Sequence, residues 1–358
     1  MSARREYSLF VVSLIFPTFP IDIIDYFDDY VKLKLARICY LRLFTGRRRF
    51  LNSFPIGEIA ALVVSVLWTA CSVLFAAAGR RIGALSVNAY RIAMAVGLLG
   101  AAHFIRFGTF APPADGTQWF YLGLSGVIGL ALGDFGYFGA LVMIGPRRGV
   151  LLMAMAPIWS SIAAYIVLGE VLGAWTIAGI GVTLAGVTLV VLEREDITAE
   201  NSIPARQKLY GILSGLGGSL GQGIGLVVSK YGMLVAGGAG APPLNPLSAT
   251  LVRMVIAAAF IWTVVVVTGR LPRIIHARRD AGAVLRTLGG AVSGPFAGVW
   301  LSMVAITYAK AGVAATLMAL MPVMVIPVVR VVYGERTSIR GIIGACTAVV
   351  GVAILFLV

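Results

Sequence analysis

A chain of 358 residues that is 59% hydrophobic, only 12% charged and has a mean hydropathy of +0.95 is not a water-soluble domain, which would carry about 25% charged residues. Its net charge of +14 sits in short loops and an N-terminal tail, where cations orient helices and meet anionic lipid, so nucleic acid is excluded as a partner. The apolar runs are continuous rather than alternating, which excludes a closed barrel, the other backbone solution in lipid, and predicts an all-α polytopic membrane protein with about 20 apolar residues per span.

Residues 1–56 differ from the rest. Arg4 and Arg5 precede the apolar run Tyr7–Phe16, then come Pro17 and Pro20, an acidic stretch Asp22–Asp29 and a basic one Lys32–Arg49. The run is too short to span, and no small-residue cleavage site follows, which argues against a signal peptide. It reads as an N-terminal extension, either an interfacial segment or translation from an upstream start.

Ten spanning segments follow, at about 58–78, 84–106, 118–144, 149–168 and 172–192, then 209–231, 246–268, 286–309, 312–333 and 338–357. The polar linker Glu193–Gln207 divides a first unit, 57–192, from a second, 208–358. The division is written into the residues. A shift of 165 superposes Leu152–Val187 on Leu317–Val352 with 11 of 36 positions identical, among them Leu-Met-Ala, a proline, Gly-Glu and Gly-Val. Five spans per copy is an odd number, so the second copy enters the membrane from the opposite side. The predicted architecture is ten transmembrane helices as two inverted five-helix repeats, which places a binding site near the midplane between them.

Loops after the odd-numbered spans hold most arginines, including Arg80, Arg81, Arg147, Arg148, Arg273 and Arg279, which favours both ends of the bundle facing out; the basic tail before the first span argues the reverse. Cys71 and Cys346 lie in apolar runs and read as packing residues, while Cys39 has no metal or CxxC spacing. There is no G-x-x-x-x-G-K-[ST] run for a nucleotide, and neither cofactor nor metal is expected.

Ionisable groups inside spans are costly and mark function by default. Asp134 lies mid-span in Gly129–Gly139, GLALGDFGYFG. It reads as a proton-coupling or cation-binding group, or as a buried acid paired with an arginine to fix packing. Arg91 and Arg253 lie about two turns into their spans, and either hold an anionic substrate or snorkel and pair structurally. Gln222 lies in the glycine-rich span Gly211–Gly225, which either leaves room for substrate or packs tightly. Trp68, Tyr137 and Trp300 suit an aromatic lining, with Ser302 beside Trp300, although interfacial anchoring is the usual membrane role of such rings. Glu170 and Glu335 read as gates or helix caps, and Pro157 and Pro322 as matched kinks.

The runs Tyr137-Phe138-x-Ala140-Leu141, Leu152–Pro157, Leu168-Gly169-Glu170 and Gly179–Val187 resemble the EamA-type repeat of the drug/metabolite transporter superfamily. Ala305, Leu317–Pro322, Gly334-Glu335 and Gly344–Val352 resemble it again, over about 57–358 in all. Arg91 and Arg253 stand where the family often has arginine, and Lys230 resembles a lysine common near the end of the sixth helix. The 56-residue extension and Arg330 depart from the pattern.

The resemblance implies a secondary active transporter, an exporter or exchanger of a small metabolite such as an amino acid or related compound, working by alternating access. Protons coupled through Asp134 and membrane lipid are the other expected partners, and the expected location is the plasma (inner) membrane of a prokaryote. The alternative is an intramembrane lipid-modifying enzyme using Asp134 and His103 as an acid–base pair. The enzyme would turn lipid over covalently, whereas a carrier moves a solute unchanged.

Overall fold

The computed structural model describes residues 55–144, 146–192, 204–236, 242–324 and 339–357; the extension, Arg330 and Glu335 lie outside them. Over these residues the protein is an all-α polytopic membrane protein. Nine helices among the described residues are long and apolar enough to cross a membrane, and the apolar stretch Ala311–Met324 begins the ninth predicted segment. The outward faces are apolar, with Phe135, Trp175 and Val267 among the most exposed side chains. That is the reverse of a soluble surface, which exposes only small apolar patches.

Before the polar linker come α1 (Ile56–Ile82), α2 (Ala84–Phe107), α3 (Gly116–Ser125), α4 (Asp134–Ile144), α5 (Pro146–Met153), α6 (Ala156–Leu168) and α7 (Ala174–Leu192). After it come α8 (Ala205–Leu234), α9 (Pro246–Val267), α10 (Leu271–Ala277), α11 (Ala281–Ala291), α12 (Val299–Tyr308), α13 (Ala311–Met318) and α14 (Ile339–Leu357). The turn between α1 and α2 is a single residue, Gly83, at φ 81°, a conformation with no steric penalty for glycine alone. The α9–α11 connection carries the short helix α10, which the apolar periodicity does not foretell.

Two spans predicted as single helices are interrupted in the same way. Between α3 and α4 the chain widens into a π-helical stretch, Gly126–Gly133, and between α11 and α12 into another, Val292–Gly298. Gly126, Gly129 and Gly133 remove the side chains that hold a tighter helix in register, and Pro295 has no N–H to give the second stretch an α-helical bond. The predicted proline kinks are in fact breaks. α5 and α6 are separated by two turn residues, Ala154 and Met155, with Pro157 in the first turn of the new helix; Ala319 and Leu320 interrupt the chain after α13, just before Pro322. The breaks are closed by short-range bonds such as Met155 N–H to Leu152 O at 3.1 Å and Leu320 N–H to Leu317 O at 3.3 Å.

Glycine contacts give the helix directions. On α7 and α14, Gly179 meets Leu355, Thr183 meets Gly351, Gly186 meets Ala348 and Val190 meets Gly344. As one number rises the other falls, so the helices run antiparallel. A methyl group at Gly186 would overlap the Ala348 backbone, and one at Gly351 the Thr183 backbone. With no hydrophobic drive between helices in lipid, this close approach of backbones is what holds them.

Candidate functional site

Asp134 is the first residue of α4, directly after the π-helical stretch. Its Oδ2 is ion-paired with the Arg91 guanidinium, and its Oδ1 accepts a hydrogen bond from Gln222 Nε2 at 2.6 Å. Arg91 is held in turn. Its Nε donates to Asn88 Oδ1 at 2.7 Å, one turn back on α2, and its guanidinium lies over Phe75 of α1 and Phe138 of α4, 5.6 and 5.5 Å from the ring centres. The pair is mostly buried, with side-chain exposures of 11% and 14%. Arg91 thus faces into the bundle and does not snorkel, and the Asp134 carboxylate meets a full positive charge.

Arg253 is buried too, at 3% exposure, so it does not snorkel, and no carboxylate among the described residues is in ion-pair contact with it. Its Nη1 lies 3.2 Å from the Met303 sulfur, its Nε has no hydrogen-bond partner, and its Nη2 lies against Gly129. An incompletely satisfied guanidinium at this depth carries a large desolvation cost. Both arginines therefore flank the same span, Arg91 at Asp134 and Arg253 a little over one turn earlier at Gly129.

The glycine-rich face of α8 is tight packing. Gly225 meets Gly129, Gln222 meets Gly133 and Gly218 meets the amide of Tyr137, so backbones leave no side-chain-sized gap along that line. Gln222 reaches in from this face to Asp134. Trp159, two residues after Pro157, donates its indole N–H to Ser219 Oγ on α8 at 3.2 Å. Tyr137 is half-buried beside Phe138, and Trp68 on α1 rests against Gly298 at the end of the second π-helical stretch.

A second polar knot lies at one end of the bundle. Glu170, which follows the left-handed Gly169 that ends α6, accepts the Ala311 N–H at 2.8 Å through Oε2 and pairs with Lys230 Nζ at 2.7 Å through Oε1. Lys230 also donates to Ala309 O at 2.7 Å, and Lys310 Nζ to Val171 O at 2.7 Å. Glu170 thus caps a helix of the other unit, α13. The geometry adds to the sequence reading of a gate or cap the specific partner, which lies 141 residues away.

Trp300 packs with Phe296 in a core cluster between α2 and α9, and Ser302 is buried with its hydroxyl bonded to Val299 O of its own helix. His103 engages Thr109 O through Nδ1 at 2.6 Å and Ser248 Oγ through Nε2 at 2.9 Å, whereas Asp134 engages Arg91 and Gln222. The acid–base pair of the enzyme alternative is not assembled. Asn88, Phe75 and Trp159 carry no site role in the sequence reading, and Phe138 enters it only within the repeat motif. Asn88 carried a readable signal, one helical turn before an intramembrane arginine, and Phe138 another, one turn after Asp134. Among the described residues no group of His, Cys, Asp and Glu is placed to hold a metal ion.

The EamA-like transporter family matches the chain twice, over residues 55–192 and 209–357. One solved crystal structure is similar over 84% of this chain and 96% of its own length, with a TM-score of 0.65 and 16% identity, a likeness of fold. No curated protein matches significantly. The two family matches lie on either side of the linker and together cover most of the chain, which therefore belongs to the EamA-like transporter family.

Proposed function

We propose that the protein is a secondary carrier for a small metabolite with a carboxylate or comparable anionic group, such as an amino acid or related compound. It works by alternating access between two inverted five-helix repeats, ten helices in all, in the plasma membrane of a prokaryote. The observation that carries this reading is the placement of Arg253. It is a buried guanidinium with an unpartnered Nε, set against an irregular stretch of helix beside a second charge centre that is already neutral. Asp134 is in contact with Arg91 and acts on Arg253 only through space, so among the described residues Arg253 is a buried guanidinium with no carboxylate in hydrogen-bond contact, and an anionic solute completes it.

Support for the inverted architecture comes from contacts that recur with the units exchanged. A shift of 165 carries the Gly186–Ala348 contact into Gly351–Thr183, and Gly179–Leu355 into Gly344–Val190. Both π-helical stretches and both helix breaks also fall at matching places. Interrupted helices at corresponding positions in two halves are where transporters of this kind bind substrate.

In this mechanism the Glu170–Lys230–Ala311 knot closes one end of the pathway by tying the units together. The Arg91–Asp134–Gln222 cluster joins both units at the centre. Proton uptake by Asp134 releases Arg91, so the cluster is where a proton gradient biases the inward-open and outward-open states.

The test is solute counterflow in proteoliposomes with amino acids, other carboxylates, sugars, nucleosides and amphipathic cations, with and without a proton gradient. Exchange confined to carboxylate-bearing solutes, lost in Arg253→Gln, is the expected result. Exchange of cations alone, or lipid modification without exchange, overturns the reading.

A further inference from the structure

At the end of the bundle where α1 turns into α2, a cleft of about 790 Å³ opens between the N-terminus of α2 and the short helix α10. Arg81, Arg273, Arg279 and His276 line it, against a single carboxylate, Asp280. That carboxylate is already committed. It pairs with Arg81 Nε at 2.7 Å and accepts the Ala283 N–H at 3.0 Å to cap α11. Gly83, Leu85 and Ser86 bring the first turn of α2 to the wall, and no side chain caps that 24-residue helix. Ser86 is 1% exposed, and its hydroxyl has no hydrogen-bond partner. The facing wall is fixed, since Tyr90 of α2 donates to Ile274 O at 2.5 Å and Ile274 and Ala277 are buried beneath α10.

We propose that this cleft binds a phosphate group, either the headgroup of an anionic membrane lipid or a free phosphorylated anion. The orphan serine hydroxyl and uncapped amides of a long helix supply neutral donors, which suit a phosphate oxygen. Two guanidiniums without a carboxylate in the cleft, and a third shared with Asp280, supply charge and forked donors. A tetrahedral anion with several acceptor oxygens uses donors converging from different walls, where a planar carboxylate meets only two. The cleft lies in a loop region at one end of the spans, the depth at which lipid phosphates sit.

The measurement is native mass spectrometry and thermal stability of the full chain in a neutral maltoside detergent, titrated with phosphatidylglycerol, phosphatidylcholine, inorganic phosphate or glycerol phosphate. Wild type is expected to retain phosphatidylglycerol over phosphatidylcholine, with a midpoint that weakens as salt rises. Arg273→Gln and Arg279→Gln are each expected to lower that affinity about tenfold, as loss of a charged hydrogen bond does, and Ser86→Ala to lower it by a smaller factor. Displacement of the lipid by inorganic phosphate or glycerol phosphate assigns the site to free phosphates as well as lipid; no displacement assigns it to lipid. Should neither lipid nor phosphate bind in preference to phosphatidylcholine, or the three variants bind as wild type does, the proposal fails. The wild-type preference and its salt dependence need no variant to fold.

Discussion

Trp68 stands to Gly298 as Gln222 stands to Gly133. Each side chain lies against the last glycine of a π-helical stretch contributed by the other unit. Next in sequence after those glycines come Val299 in one case and Asp134 in the other. Two places with the same backbone geometry therefore hold opposite chemistry, a polar cluster on one side and an indole at an apolar turn on the other.

The polar side gives the first expectation. Asp134→Asn leaves the buried Arg91 guanidinium without its counter-charge, and removing one partner of such a pair costs about 3–5 kcal/mol. A large fall in thermal stability in detergent is expected, with part of it recovered in the double variant Arg91→Gln, Asp134→Asn. A double-mutant cycle with additive effects would mean that the two charges do not interact.

The bundle-end knot gives the second. Glu170→Gln keeps the side chain's shape while removing its charge from Lys230. Its expected effect is several-fold faster thiol labelling of a Lys310→Cys probe, in a background without the native cysteines, as the tie between units loosens. Unchanged labelling would show that this end opens independently of Glu170.

Helix packing gives the third. Gly186→Leu forces a side chain into the Ala348 backbone, whereas Gly181, on the same helix, has open space around it. Overpacking of this kind costs about 1–3 kcal/mol or more, and Gly181→Leu is expected to stay within about 0.5 kcal/mol of wild type. Equal melting temperatures for the two variants would remove α7 and α14 from the frame of the protein.

The loop gives the fourth. The Ala283 amide, followed by Arg81 and Arg286, holds the Asp280 carboxyl below the usual carboxylate range. A lowered folded-state value contributes stability that is complete above the unfolded value of about 3.9 and is lost as pH falls through the folded one. The stability difference between wild type and Asp280→Asn is therefore expected to hold steady from pH 7 to about pH 5 and to close below about pH 4. A difference that closes above pH 5 would contradict the shift.

Much of this was readable beforehand, and for physical reasons. Apolar run length reports span position because lipid penalises every unsatisfied backbone group, so Pro246–Val267 lies within a residue of its predicted 246–268. The duplicated glycines could be read as repeats, and their contacts then account for the spacing of Gly179 and Gly186 against Gly344 and Gly351. An arginine partner for Asp134 is one of two readings in sequence, but which arginine is not legible, because 43 residues separate Asp134 from Arg91 and no local pattern encodes which face of α2 meets α4. The π-helical stretches are undecided in sequence for a related reason. Glycines permit a widened turn, but they equally permit close packing, and only the neighbouring helices decide. Proline signalled an interruption at 157 and 322 without telling a bend from a break.

The α7–α14 crossing has the form of an isologous interface, in which one patch meets a copy of itself. Such joints ordinarily unite identical subunits, where any substitution appears on both sides at once. Carried within a single polypeptide, the joint lets each side change alone. One half of this molecule is accordingly free to hold Asp134 and Gln222 while the other holds Val299 and Trp68, a division of labour that a symmetric pair of identical chains cannot reach by any single substitution.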